Sequence, residues 1–423
     1  MSGTIGSNIL SHSGIVAETA AGLNWVSDVV TASTVTVDAG NGYWINTTSN
    51  ACTITLPASA EAGDNIVIVD FARTWGTNAV TLDSNGLNFQ GEDDTYTVEY
   101  TTDGQSVNLI FSDSTKGWIP LEDDVVANEP VAPVTQKALF AYGRLANGDM
   151  VSVKNLVNSS GVVAADVTGV GTARGYIPAA TYGTDKAIFA FGYDNSSALN
   201  IRNLVNNSGV VAADATGAGT AKFANAGTGY GDDKAIFYGG RILAGARQNT
   251  SNLVNNSGVV GNDVTGVGTA RGYLTGVRYG SSGQALFTKG NDVNGGNVNI
   301  TNLVSNSGVI SSNVTGVGTA RYGLAASTYG VGLAAIAYGY NNLSVKNLVN
   351  TSGVIGADVT GVGTGRNDIS ASNYGGDKGV FAYGGNVVSL KNLLGNNGVI
   401  GSDVTGVGTA RKAVGAAGFS LSA

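Results

Sequence analysis

From Thr34 the chain runs in short stretches where apolar and polar residues alternate: TVTVDA, YWINTT, CTITLP, NIVIVDFA, AVTLDS, LNFQG, YTVEYT and VNLIFSD. A period of two over such lengths predicts β-strands with one face buried. The turn pairs Asn41-Gly42, Asn85-Gly86 and Asp103-Gly104 predict hairpins between them. These strands form an all-β module over residues 33–120. Residues 1–32 hold no sustained period and read as an N-terminal arm, with Trp25 as its candidate anchor. Residues 121–136, LEDDVVANEPVAPVTQ, combine acidic side chains with two prolines and read as a semi-rigid linker.

Beyond Lys137 the pattern becomes a repeat. TGVGTAR at Thr168 to Arg174 returns as TGAGTAK from Thr216, TGVGTAR from Thr265 and Thr315, TGVGTGR from Thr360 and TGVGTAR from Thr405, at separations of 48, 49, 50, 45 and 45 residues. Such self-similarity marks an architecture in which each unit buries its apolar face against its neighbours. The first full unit divides into GYIPAATYG, KAIFAFG, ALNIRNLV, the turn NNSG and VVAADATG, which are four strand-length segments. The segments after each basic residue are rich in Ala and Gly, as strands crowded around an axis would be. The repeat opens at KALFAYG, a second strand, and ends in KAVGAAGFSLSA, a first strand with nothing after it. The expected fold is therefore all-β: a β-sandwich-like N-terminal module, then a closed six-bladed β-propeller over 137–423. Its blades would be four-stranded, the first completed by the C-terminal strand.

Charge separates the two regions. Residues 1–136 hold 17 acidic and 2 basic side chains, a balance of −15, and 137–423 hold 13 acidic and 20 basic, a balance of +7. All four tryptophans lie before residue 121. The excess of +7 is spread without a basic run or an RNA-binding aromatic motif, so no nucleic-acid partner is expected. No apolar run approaches the ~18 residues of a membrane span, and no membrane insertion is expected. The single cysteine, Cys52, sits in an alternating run and reads as a buried thiol.

Catalytic chemistry finds few candidates. The one histidine is His12, and the repeat region contains no histidine, cysteine or glutamate. A Ser-His-Asp arrangement or a histidine-based metal site cannot be assembled there. No catalytic residue, metal or cofactor is expected. The glycines of TGVG lack the following helix that a phosphate loop needs, and read as turn geometry. The basic residue closing each motif has two readings. It either stitches blades together through an Asp or a loop carbonyl, or it opens a mouth that binds anions. Arg174, Lys222, Arg271 and Arg411 are assigned to the first role. Arg321 and Arg366 are candidates for the second, Arg321 because position 313, eight residues earlier, is Asn where five of the six units have Asp. Variable loops between the second and third strands share that side, which makes Arg144, Arg241, Arg247 and Lys289 candidate ligand-binding residues.

The basic residue opening each inner strand, the aromatic second strand ending in glycine and the Asn-rich turn resemble a kelch blade. YGTDKAIFAFG, NLVNNSGVV and TGVGTAR resemble repeats of tail-fibre and appendage proteins of tailed bacteriophages. GYWINTTSNACTITLPASAEAGDNIVIVDF with DSTKGW resembles an all-β module of phage virion fibres. The resemblance implies a non-enzymatic virion protein, commonly homotrimeric. Its N-terminal region would meet other virion proteins and its repeat region a host surface polysaccharide. A capsid, neck or tail decoration protein is the alternative, and a glycan-degrading enzyme a further one.

Overall fold

The computed structural model describes residues 9–12, 15–18, 23–123 and 136–420. Most of the expected linker lies outside the described residues, as does much of the expected arm. The chain is all-β, with no helix among the described residues. It divides into two compact units, Met1–Pro133 and Val134–Ala423.

In the first unit, the strands Ile9–His12 and Ile15–Glu18 pair antiparallel within the stretch expected to be an arm. The rest forms two sheets. One runs in the order Trp118–Asp123, Ser106–Phe111, Asn65–Asp70, Asn41–Ile45, Asn24–Trp25, and the other in the order Thr34–Thr36, Cys52–Thr55, Val80–Asp83, Val98–Tyr100. Between Thr34 and Asp83 successive strands alternate between the sheets, so pairing is parallel and links every second strand, Tyr43 to Ile68 and Ile54 to Leu82. None of the three turn pairs closes a tight hairpin. Asn41-Gly42 begins a strand, Asp103-Gly104 leads between sheets, and Asn85-Gly86 lies in the long connection between Val80–Asp83 and Val98–Tyr100, which pair antiparallel within one sheet. The alternation itself is kept, since Asn65–Asp70 buries every second residue. Ile45, Ile54, Leu56, Ile66, Ile68 and Trp75 fill the core. Cys52 is buried in the same core, and burial pushes its thiol pKa up.

The second unit contains six principal sheets. Their first strands are Ala179–Tyr182, Ala226–Tyr230, Thr275–Tyr279, Ala325–Tyr329, Ser370–Tyr374 and Gly415–Phe419. The last of these pairs with Lys137–Arg144, Leu139 opposite Ala417, so the end of the chain joins its first sheet. Each first strand touches the next, and Gly415–Phe419 touches Ala179–Tyr182. Second strands such as Lys186–Ala190 bury almost every residue because both their faces meet other sheets.

The fourth segment of each unit is weaker than expected. It meets the third strand mainly through isolated bridges such as Val205 to Val211 and Val254 to Val260, and only two sheets extend it into a two-residue ladder. In VVAADATG, Val211 is buried while Val210, Ala212 and Ala213 are exposed, so little apolar area holds the ladder.

Candidate binding face

The six motif cations hold the seams between sheets. Arg174 is fully buried; its Nε donates to Phe191 O at 2.9 Å and its Nη2 to Asn203 Oδ1 at 2.6 Å. Asn203, also fully buried, passes its amide to Asp214 Oδ1 at 2.9 Å, and Asp214 accepts the Thr172 N–H and hydroxyl at 2.8 and 2.7 Å. The Arg174 guanidinium lies over the Tyr142 ring at 4.2 Å, inside the range of a cation–π contact. The last unit closes the same circuit onto the first, through Arg411 to Asn155 and Thr409 to Asp166. The second glycine of TGVG is required here. Gly171 has φ +81, and a Cβ would stand 2.2 Å from Asp214 Oδ1.

These partners correct the reading of Arg321. Five of the six cations meet the aspartate of the next unit around, so Arg321 faces Asp358 at 3.8 Å. Asn313 belongs to the Arg271 seam, where its Oδ1 accepts the Thr269 N–H at 3.1 Å. Arg321 is fully buried, with Nε on Tyr338 O at 2.7 Å and Nη2 on Asn347 Oδ1 at 2.8 Å. Burial pulls it down to about 10 against the upward pull of Asp358. Arg366 is held in the same way by Tyr383 O and Asn392. Both therefore sit with Arg174, Lys222, Arg271 and Arg411 inside the seams, and the donors of Arg321 and Arg366 already have acceptors.

Lys289 is also internal. Its Nζ donates to Asn299 Oδ1, Val317 O and Thr319 O at 2.8, 2.9 and 3.1 Å. It occupies the place that Tyr142, Phe191, Tyr338 and Tyr383 take in other units. Burial first, then Arg321, lowers its pKa to about 8.

Arg144, Arg241 and Arg247 reach one face of the unit. There the loops after the second strands pair with the residues following the motif cations: Arg144 with Lys412, Tyr193 with Gly175, and Arg241 with Phe223. Those following residues are Gly-Tyr, Phe-Ala, Gly-Tyr, Tyr-Gly, Asn-Asp and Lys-Ala in successive units. The backbone links Tyr176 to Ala413, Ala224 to Tyr176, Tyr273 to Ala224, Gly323 to Tyr273 and Ala413 to Asp368, each by one N–H···O bond of 2.7 to 2.9 Å. The large side chains build a continuous aromatic arc. Tyr193 contacts Phe223, Phe223 contacts Tyr176, Tyr176 contacts Tyr273, Tyr273 contacts Tyr322, and Tyr322 stacks on Tyr340 at 4.5 Å and 19°.

Charge gathers at the gap in the arc. Asp368 sits deep among neighbours, and burial raises its carboxyl pKa against the pull of Lys412 and Arg144. Its charge adds to the burial that raises Tyr176, and burial with Tyr340 pushes Tyr322 up to about 12. Arg241 lies over Phe223 and Arg247 over Tyr273, each at 5.8 Å, and Arg247 Nε donates to Asn291 Oδ1 at 3.2 Å. Below the arc is a cavity of about 130 Å³ lined by Tyr176, Asn225, Tyr273, Leu324 and Asp368. Asn225 is buried where the equivalent residues are Ile177, Leu274, Leu324, Ile369 and Val414, and neither of its amide atoms has a protein partner. Water or a polar ligand must satisfy it.

This face can stack aromatic planes against a ligand while Asp368 accepts, and Arg144 and Arg241 donate, hydrogen bonds at its edge. Among the described residues no group of His, Cys, Asp or Glu could hold a metal. No family model matches the chain, and no curated protein matches its sequence. The aromatic arc and Asp368 were absent from the sequence candidates. Their signal lies in the two residues after each cation, the variable part of an otherwise uniform motif.

Proposed function

We propose that the chain is a non-enzymatic receptor-binding fibre protein of a tailed bacteriophage, carried on the virion. In this reading residues 137–423 fold as a closed six-bladed, kelch-like β-propeller whose loop face contacts a host surface glycan. The N-terminal region joins other virion proteins, and the fibre is a homotrimer. Closure is supported by the pairing of Gly415–Phe419 with Lys137–Arg144 and by the cyclic contacts of the first strands. The glycan reading rests on one observation, the aromatic arc from Tyr193 to Tyr340 interrupted by Asp368, Lys412 and Arg144. Aromatic planes offer large rigid area to the apolar faces of sugar rings, and charged groups at the rim fix their hydroxyls. Several copies per virion would turn weak contacts into avidity.

The test is a binding screen of the full chain against immobilised bacterial surface polysaccharides. Saturable binding that Tyr273→Ala and Tyr322→Ala both remove, with unchanged circular dichroism, supports the reading. Binding that survives both overturns the assignment of the face. Shortening of the polymer during incubation would point to a glycan-degrading enzyme.

One observation favours the decoration reading. Val162, Val210, Val259, Val309, Val354 and Val399 stand at equivalent outer positions and are 51 to 65% exposed. Repeated apolar surface of this kind suits packing against other virion proteins. Capture of capsid or neck proteins with no polysaccharide binding would select that reading.

A further inference from the structure

We propose that the second unit holds a small oxyanion, of phosphate or sulfate size, on Arg278. This site is separate from the loop face, and the proposal does not rest on the glycan reading. The residue before the closing aromatic of each first strand is Thr181, Gly229, Arg278, Thr328, Asn373 or Gly418. Five are small or neutral and one is a guanidinium. Together with Gln136 they line a cavity of about 300 Å³, whose lining residues include no Asp or Glu.

Arg278 is prepared for a ligand in three ways. Its Nη2 donates to Gly231 O at 2.6 Å, which orients the guanidinium and leaves other donors of the fork. Burial lowers its pKa, and the opposing charge is only Asp232, with no ion pair to Arg278 among the described residues. Gly229 makes room for it, since a Cβ there would stand 3.1 Å from Arg278 Cδ. A half-buried guanidinium with no ion-paired carboxylate, in a cavity whose lining holds no acid, favours an anion, and its planar fork suits an oxyanion more than a spherical halide. Elsewhere on the same lining Gln136 accepts the Gly376 N–H on Oε1 at 3.0 Å, which leaves its amide nitrogen as the donor end. The Thr328 hydroxyl and Asn373 amide supply further polar groups on the same lining.

The test is titration calorimetry of the full chain with sodium sulfate and sodium phosphate, against sodium chloride at equal ionic strength. Melting curves run beside it. Expected are saturable binding of sulfate or phosphate, no saturable binding of chloride, and at least a tenfold loss of affinity in Arg278→Thr. Thr is already present at the equivalent positions 181 and 328, so this variant should fold. Arg278→Lys keeps the charge without the fork, and an intermediate affinity is expected. It also reads the site if the threonine variant does not fold. Sulfate stabilises proteins in general, so a melting shift counts only where Arg278→Thr abolishes it. No saturable binding by the unmodified chain, or affinity unchanged in both variants, would overturn the proposal.

Discussion

Arg411 donates from Nη2 to Asn155 Oδ1 at 2.6 Å, across a separation of 256 residues. Both side chains are fully buried. The bond repeats the contact of Arg174 with Asn203, but it ties the last motif to the first sheet. Arg411 also caps Tyr142 O through Nε and lies over the Tyr383 ring at 4.3 Å.

Arg411→Ala should therefore destabilise the second unit by roughly 3 kcal/mol or more, because it strands the buried acceptors on Asn155 and Tyr142. Thermal melting followed by circular dichroism checks it. A loss below about 0.5 kcal/mol would place the chain's closure elsewhere.

Asn313 offers the converse change. Its Oδ1 and Nδ2 already meet Thr269, and Arg271 has no ion pair among the described residues, whereas the other five cations each face an aspartate. Asn313→Asp should add the carboxylate present in the other five seams and stabilise by about 0.5 to 1 kcal/mol. In those seams burial raises the carboxyl, but hydrogen bonds from Thr and Asn and the nearby cation outweigh it, so Asp166, Asp214, Asp263, Asp358 and Asp403 titrate low. Their stabilisation is present above the ~3.9 of an unfolded Asp and is lost as pH falls through the folded values. The gain from Asn313→Asp should disappear over the same acid range in pH-dependent melting.

Lys289→Tyr should stabilise by on the order of 1 kcal/mol, since an aromatic ring could cover Arg321 as Tyr338 covers Arg366 at 4.8 Å. The hydroxyls of Tyr142, Tyr238 and Tyr338 donate to Val170, Val267 and Val362 carbonyls, and Val317 O is the equivalent acceptor. Lys222 and Lys289, each lowered to about 8 mainly by burial, bind their protons less tightly folded than unfolded. Stability should thus rise from about pH 8 to 10.4, and the variant should show a smaller rise. A melting series across that range decides it.

Asp368→Asn should raise stability at neutral pH, because burial penalises the ionised carboxyl in the fold. It should also weaken glycan binding about tenfold if the carboxylate accepts sugar hydroxyls. For the unmodified chain, binding should fade on acidification at a higher pH than an ordinary aspartate would give. Affinity measured against pH for both proteins tests the pair of effects, and parallel profiles would remove Asp368 from the site.

Much of this protein was readable in its residues. Alternation in NIVIVDFA and the spacing of TGVGTAR are local properties, and local sterics and burial determine them, so strands, repeat units and the two regions could be read directly. The terminal segments KALFAYG and KAVGAAGFSLSA announced their pairing because each lacked the other. Pairing partners in the first unit were not readable, since one buried face per strand serves a parallel neighbour as well as a hairpin. Nor was the partner of each cation, because Asp358 reaches Arg321 only after the chain has run through a further sheet. Tertiary structure alone decided that Arg321, Arg366 and Lys289 are enclosed while Tyr176, Tyr273 and Asp368 converge on one face. Burial is a property of the surrounding sheets, and no spacing within a single unit records it.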